Sequence, residues 1–207
     1  MKENLTEIVF ILDRSGSMYG LVEDTIGGFN SFIEEQKKED GEALLTTVLF
    51  DNQCEILHDG INLKDVKILT NKEYFTRGMT ALLDAIGKTI NSVGNRLNKT
   101  PEDEKPSKVI FVITTDGYEN SSIEFTQKQI KEMIGYQTSK YNWQFIFLGA
   151  NIDAVNVAES YGIRGQFASK YTADTWGTQS VYTTMSNVVR DYREKGVVLD
   201  NWKNNIK

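Results

Sequence analysis

One stretch constrains the fold more than any other, an apolar run that stops at a carboxylate. Residues 8–12 read Ile-Val-Phe-Ile-Leu, and residues 13–17 follow directly as Asp-Arg-Ser-Gly-Ser. An uninterrupted apolar run that ends in a polar turn is typical of a central parallel strand covered on both faces. Open α/β sheets bind their ligands in the crevice at the carboxyl ends of such strands. The stretch therefore predicts a buried strand and the place of a functional site.

The turn after this strand is rich in oxygen donors. Asp13, Ser15 and Ser17 stand at alternate positions, and Gly16 allows the chain to turn tightly between them. Carboxylate and hydroxyl oxygens are the ligands that hard cations such as Mg²⁺ and Mn²⁺ prefer. Aspartate and serine at a strand-to-helix junction are also good helix N-caps. This segment alone therefore leaves two alternatives, a metal site and a simple cap.

The same pattern recurs later in the chain. Residues 109–113 read Val-Ile-Phe-Val-Ile and lead into Thr-Thr-Asp-Gly, which places Asp116 at the end of a second buried strand. Thr80 opens an amphipathic helix predicted over residues 80–97. If the strands that end at Asp13 and Asp116 are neighbours where the strand order reverses, their carboxylates face each other across the crevice.

Strands and helices alternate along the chain. The predicted strands are 8–12, 43–50, 53–57, 109–113, 144–148 and 167–171, and the predicted helices are 21–39, 80–97, 124–139, 153–161 and 176–195. Residues 51–52 predict a hairpin, and residues 59–77 are predicted to form a loop with one helical turn. We expect a doubly wound, mostly parallel six-stranded sheet, Rossmann-like, with one antiparallel edge strand and helices on both faces. Residues 1–195 would form the domain and 196–207 a tail.

Composition excludes several classes of protein. With 207 residues and 40% apolar content, the chain can form one sizeable core. A net charge of −6 argues against nucleic-acid binding and favours cations as partners. No apolar run approaches the roughly 18 residues of a membrane span, and the amino terminus leads into a strand, so we expect a cytoplasmic protein. The single cysteine, Cys54, predicts a buried inert thiol, and a catalytic pair with His58 is disfavoured.

Three separated segments together resemble the metal-ion-dependent adhesion site of von Willebrand factor type A domains. They are Asp-Arg-Ser-Gly-Ser at 13–17, Gly-Met-Thr-Ala-Leu at 78–82 and Thr-Asp-Gly at 115–117. Segments 116–120 and 147–153 further resemble the small stand-alone members of this family found in bacteria and phages. The resemblance extends over the chain up to the final helix, and three motifs in order are more specific than one.

The resemblance implies a protein-binding module that depends on a divalent metal, and not an enzyme. Ser15 and Ser17 would bind the cation through their hydroxyls, and Thr80 would bind it directly or through water. Asp13 and Asp116 would bind mainly through waters or alternate between direct and water-mediated coordination. Mg²⁺ is the first expectation, and Mn²⁺ fits the same donors. A cation held in this way keeps residual charge and an exchangeable water, so it can accept an Asp or Glu from a protein partner.

An enzymatic alternative uses the same first strand. Phosphohydrolases of the haloacid dehalogenase type place a nucleophilic aspartate at the end of their first strand, which is the position of Asp13. Their usual second aspartate is Ser15 here, and no later Gly-Asp-x-x-x-Asp motif follows. Dinucleotide binding is disfavoured because no Gly-x-Gly-x-x-Gly follows the first strand. The partner and the oligomeric state stay open.

Several residues in or near the motif loops are candidate partner contacts, and the alternative for each is an ordinary exposed loop residue. They are Arg14, Tyr19, Arg77, Tyr118 and Glu119. A further alternative for Glu119, together with Asn120, is that these residues brace the loop after the second buried strand.

Overall fold

The computed structural model describes residues 1–206 and shows one sheet between two layers of helices. The strands are β1 Lys2–Asp13, β2 Glu42–Phe50, β3 Cys54–Asn62, β4 Pro106–Thr115, β5 Gln144–Ala150 and β6 Ala168–Tyr171. The helices are α1 Val22–Gln36, α2 Leu82–Lys99, α3 Gln127–Tyr141, α4 Ala154–Ser160 and α5 Thr175–Lys195. Within residues 1–206, no helix has the length and apolar character needed to cross a membrane.

The strand order is β3-β2-β1-β4-β5-β6, and only the pairing of β2 with β3 is antiparallel. The predicted fold class is therefore confirmed. The chain adds β2 and β3 on one side of β1 and then places β4 on its other side, so the strand order reverses between β1 and β4. Asp13 pairs with Phe50 of β2, and Leu12 pairs with Thr114 of β4. The carboxyl ends of these strands therefore meet at one edge.

The apolar run in β1 is uninterrupted because the strand serves two cores. Successive side chains of a strand point to opposite faces of the sheet. Phe10 belongs to the core that α1 and α5 cover, where its ring meets Phe29 and Phe32 edge-on at centroid distances of 5.5 and 4.9 Å. Val9 and Ile11 belong to the opposite core, which α2, α3 and α4 cover. Both faces exclude water, so β1 is fixed in the centre of the sheet.

The segment after the hairpin differs from the prediction. A loop with one helical turn was expected from residue 59. Instead β3 continues to Asn62, and a helical turn is present as the 3₁₀ turn at Leu63–Asp65. The pairing of β3 with β2 shifts register twice, and Gly60 has a φ of 61°. These irregularities break the alternation of apolar and polar residues by which a half-buried strand is recognised in a sequence.

Residues after α5 pack against the domain. The helix ends at Gly196, whose φ is 72°, and the indole nitrogen of Trp202 donates a hydrogen bond to the Gln166 carbonyl at 2.9 Å. Trp202 is buried in the core beside α1 and α5. The sequence left a docked or a frayed tail open, and the structure shows residues 196–206 docked. The boundary at residue 195 stays a prediction.

Two adjacent glycines of α1 provide a matched test of this packing. A Cβ atom on Gly28 would lie 2.2 Å from Cδ2 of the buried Tyr182 ring, whereas one on Gly27 would meet nothing within 4 Å. We expect Gly28→Ala to lower the free energy of unfolding by about 1–3 kcal/mol, because the α1–α5 contact is overpacked. Gly27→Ala should raise it by about 0.5–1 kcal/mol through helix propensity. Urea denaturation measures both, and equal effects would contradict the packing.

Candidate metal centre

The candidate site lies where the carboxyl ends of β1 and β4 meet. Asp13 is the last residue of β1, and its Oδ1 accepts a hydrogen bond from the backbone N–H of Ser15 at 2.7 Å. The hydroxyls of Ser15 and Ser17 lie 3.2 Å apart. Ser17 Oγ donates to Oδ1 of Asp116, which directly follows β4, at 2.6 Å. Four of the five residues predicted for the site therefore form one chain of contacts.

The fifth predicted residue, Thr80, lies beside them. A Cβ atom on Gly117 would be 3.5 Å from Thr80 Oγ1 and 3.8 Å from Ser17 Oγ, so both hydroxyls border the same space above Gly117. Asn120 holds the Thr80 backbone, because its Oδ1 accepts from Thr80 N at 2.9 Å and its N–H donates to Thr80 O at 3.0 Å. The Thr80 hydroxyl has no hydrogen-bond partner among residues 1–206. The structure thus brings all five residues together.

The two carboxylates of the site lack a compensating charge. Burial raises the pKa of Asp13 to about 6, although hydrogen bonds from Thr115 and Ser15 oppose the rise. Burial also raises the pKa of Asp116. No basic side chain of residues 1–206 forms an ion pair with either carboxylate, and the guanidinium groups of Arg14 and Arg77 pair with Asp51 instead. The site is therefore electrostatically suited to a cation.

A buried carboxylate beneath the site joins the loop after β1 to the segment before α2. Arg14 Nε and Arg77 Nε donate to the same Oδ2 of Asp51, at 2.9 and 2.8 Å. The backbone oxygen of Asp51 accepts from Ala81 N at 2.9 Å. Arg14 was a candidate for partner contact, and this prediction was wrong, since its side chain is 0% exposed. Through its pairing with Asp51, Arg14 instead fixes the loop after β1.

Two further carboxylates hold the loop after β4. Glu119 accepts hydrogen bonds from the backbone N–H groups of Ser121, Ser122 and Leu83 at 2.8, 2.7 and 2.9 Å. Asp84 accepts from three consecutive N–H groups, those of residues 123–125, at 2.9–3.0 Å. The bracing alternative for Glu119 and Asn120 is thus confirmed, and the loop is tied to the first turn of α2.

The remaining candidate contacts are exposed. Tyr19 and Tyr118 expose 81% and 57% of their surface. The Tyr118 hydroxyl accepts a hydrogen bond from Asp153 N at 3.3 Å. Arg77 is 41% exposed, but its guanidinium is paired with Asp51. Only the two tyrosines among these candidates therefore present a side chain that no charged group engages.

Sequence reasoning missed several supporting residues. Thr115 Oγ1 donates to Asp13 Oδ2 at 2.6 Å and thereby orients that carboxylate. Asp51 directly follows β2, just as Asp13 ends β1. A carboxylate at the end of a buried strand is a usable sign of a role near the site, but residues 51–52 were assigned only to a hairpin. Cys54 is half-buried rather than buried, and burial raises the pKa of its thiol to about 11. It therefore stays protonated at neutral pH.

The fold is found in several solved structures. Proximal thread matrix protein 1 from the mussel byssus is 15% identical with a TM-score of 0.66, and the match covers 90% of this chain and 46% of that one. The von Willebrand factor domain of the pilus tip protein Mfa5 from Porphyromonas gingivalis is 11% identical with a TM-score of 0.66, and the match covers 94% of this chain and 98% of that domain. Manganese-loaded TRAP from Plasmodium vivax is 16% identical with a TM-score of 0.56, and the match covers 84% of this chain and 70% of that one.

These similarities establish the von Willebrand factor type A fold for this chain. A further structure of the mussel protein has zinc in its metal-ion-dependent adhesion motif. The chain spans less than half of the mussel protein, 46% of its length. No protein-family model and no curated protein matches the chain.

The raised pKa of Asp13 predicts that the unfolding free energy of the metal-free protein, measured in EDTA, depends on pH. The pKa is about 6 in the fold against 3.8 in the unfolded chain. Protonation of Asp13 therefore stabilises the metal-free fold, fully below about pH 4, and this contribution is lost as pH rises through about 6. Relative to Asp13→Asn, the unfolding free energy of the natural protein should fall by about 1–3 kcal/mol from pH 4 to pH 7. Urea denaturation across this range tests it, and parallel profiles would refute it.

Proposed function

We propose that this chain is a protein-binding module that depends on a divalent metal. Asp13, Ser15, Ser17, Thr80 and Asp116 would hold the cation, with Mg²⁺ as the first candidate and Mn²⁺ as the second. The observation that carries the proposal is the convergence of three hydroxyls and two carboxylates from three separate loops on one space, with no basic side chain paired to either carboxylate. The bound cation would supply positive charge and a coordination position for an external carboxylate.

The donor set supports a hard cation. All five residues offer oxygen, which Mg²⁺ and Mn²⁺ prefer over nitrogen and sulfur. Residues 1–206 contain no group of three or more His, Cys, Asp and Glu that could hold a metal, so a site built from these side chains alone is not offered elsewhere in that range. In the proposed site the hydroxyls of Ser15, Ser17 and Thr80 would complete the donor set. One structural neighbour has zinc in its metal-ion-dependent adhesion motif and another is manganese-loaded, which supports a divalent ion for this chain.

A carboxylate of a protein partner is the ligand that such a cation would accept. The site supplies only two carboxylates, and hydrogen bonds already engage both oxygens of Asp13. An Asp or Glu of the partner could therefore replace a water on the metal. The net charge of −6 opposes an acidic partner only as a diffuse field, which salt screens over about 8 Å. Direct contact between the cation and one carboxylate outweighs that field.

The dehalogenase-type alternative has no support from the structural neighbours, which are matrix, pilus and other von Willebrand factor type A proteins. The position two residues after Asp13, where that family carries its general-acid aspartate, is Ser15. Turnover of a phosphoester that disappears in Asp13→Asn would favour the alternative over the binding module.

Calorimetric titration with Mn²⁺ tests the metal site. We expect one Mn²⁺ per chain. Asp13→Asn should weaken binding by at least about tenfold because a charge next to the cation is lost, and Thr80→Ala should weaken it because a hydroxyl is lost. Asp103→Asn is the matched control, since Asp103 is exposed in the turn that precedes β4 at the opposite end of the sheet.

Circular dichroism at each titration point confirms that the variants are folded. Unchanged Mn²⁺ binding in Asp13→Asn, or an equal loss in Asp103→Asn, would show that the cation binds elsewhere or without a defined site.

A further inference from the structure

Each of the three loops at the site carries an exposed apolar side chain. Tyr19 lies two residues after Ser17, Met79 directly before Thr80, and Tyr118 two residues after Asp116. Their exposed fractions are 81%, 53% and 57%. Single exposed apolar residues are ordinary, whereas exposed apolar residues that group together around a polar centre mark interaction sites. We call Tyr19, Met79 and Tyr118 the apolar collar.

Direct contacts place the collar around the candidate site. Gly16 N donates to Gly78 O at 3.2 Å, which joins the loop that carries Tyr19 to the loop that carries Met79. The space above Gly117, next to Tyr118, is bordered by Thr80 Oγ1 and Ser17 Oγ. Met79 and Tyr118 therefore directly adjoin groups that touch one another, and Tyr19 lies two residues from Ser17.

The loops offer no free positive charge beside the collar. Residues 15–21 and 78–83 contain no charged side chain. In residues 116–123 the charged groups are Asp116 and Glu119, and Glu119 is engaged by backbone N–H groups. Arg77 is paired with Asp51. A partner that brings one carboxylate to the cation would find no basic group in these segments to pair with a second carboxylate.

These observations narrow the chemistry of the partner. We propose, on the basis of the metal-dependent function proposed above, that the partner is a protein segment in which a single Asp or Glu is flanked by aromatic or aliphatic side chains. The acidic residue meets the cation, and the flanking residues pack on Tyr19, Met79 and Tyr118. A cluster of acidic residues is disfavoured, because its additional charges meet apolar side chains on a chain with a net charge of −6.

Tyrosine is well suited to this role. Tyrosine and methionine are enriched in protein interfaces, and tyrosine is among the residues whose truncation weakens binding most. Its large ring contributes apolar area, while few rotatable bonds are fixed on binding. We expect Tyr19→Ala and Tyr118→Ala each to weaken partner binding by about tenfold, as for moderate interface hot spots.

A displayed peptide library tests the proposal. The probes are nonapeptides with a central Asp and eight randomised positions, selected on the natural protein in Mn²⁺. We expect the selected peptides to be enriched in aromatic and aliphatic residues beside the Asp and depleted of further Asp and Glu. The best peptide is then synthesised, and its affinity is measured for the natural protein, Tyr19→Ala, Tyr118→Ala and Tyr136→Ala.

Tyr136→Ala is the matched control. Tyr136 is an exposed tyrosine of α3 at the opposite end of the sheet, where it borders the same cavity as Pro106 and Ser107 at the start of β4. Peptide affinity should fall about tenfold in each collar variant and stay unchanged in Tyr136→Ala. Mn²⁺ affinity should be the same in all four proteins, since no collar residue is a proposed metal ligand.

The outcomes separate the collar from the metal site. Selection of no peptide, enrichment of acidic flanks, or equal peptide affinity in the collar variants would overturn the collar while Mn²⁺ still binds. Absence of Mn²⁺ binding, or selected peptides that bind equally well in EDTA, would instead overturn the metal-dependent function on which the collar rests.

Discussion

The buried carboxylate of Asp51 is the contact on which the geometry of the site depends. Its Oδ2 accepts hydrogen bonds from both Arg14 and Arg77, and its backbone oxygen accepts from Ala81. Removing one member of a buried ion pair leaves an uncompensated charge, which is strongly destabilising. The loop after β1 and the segment that carries Thr80 are therefore fixed beneath the site. The attachment of these two segments to each other therefore does not depend on the hydroxyls and carboxylates of the site.

Much of the fold could be predicted because its central strands have a simple pattern. Residues 8–12 and 109–113 are apolar without interruption, since β1 and β4 are buried on both faces. The reversal of strand order between them placed Asp13 and Asp116 at one edge. Thr80 was found through its family motif rather than through periodicity, because its role depends on a contact between separate loops. The order and type of the elements followed from the sequence, whereas the length of β3 did not.

The direction of a side chain could not be predicted. Arg14 is a charged residue in a polar turn, which usually indicates exposure, yet it is buried because Asp51 and Glu55 compensate its charge. These partners lie 37 and 41 residues away, so no local pattern shows them. Glu119 also looks like a surface residue but accepts backbone hydrogen bonds. In each case a long-range or backbone partner decided the position.

The loop after β4 shows how order arises without helix or strand. Asp84 and Glu119 together accept hydrogen bonds from six backbone N–H groups, five of them in residues 121–125. Each residue fixed in this way has already lost the conformational entropy that a mobile loop would lose on association. A ligand that binds here would therefore keep more of its contact energy as affinity. Two side chains thus give an irregular loop the preorganisation of a regular element.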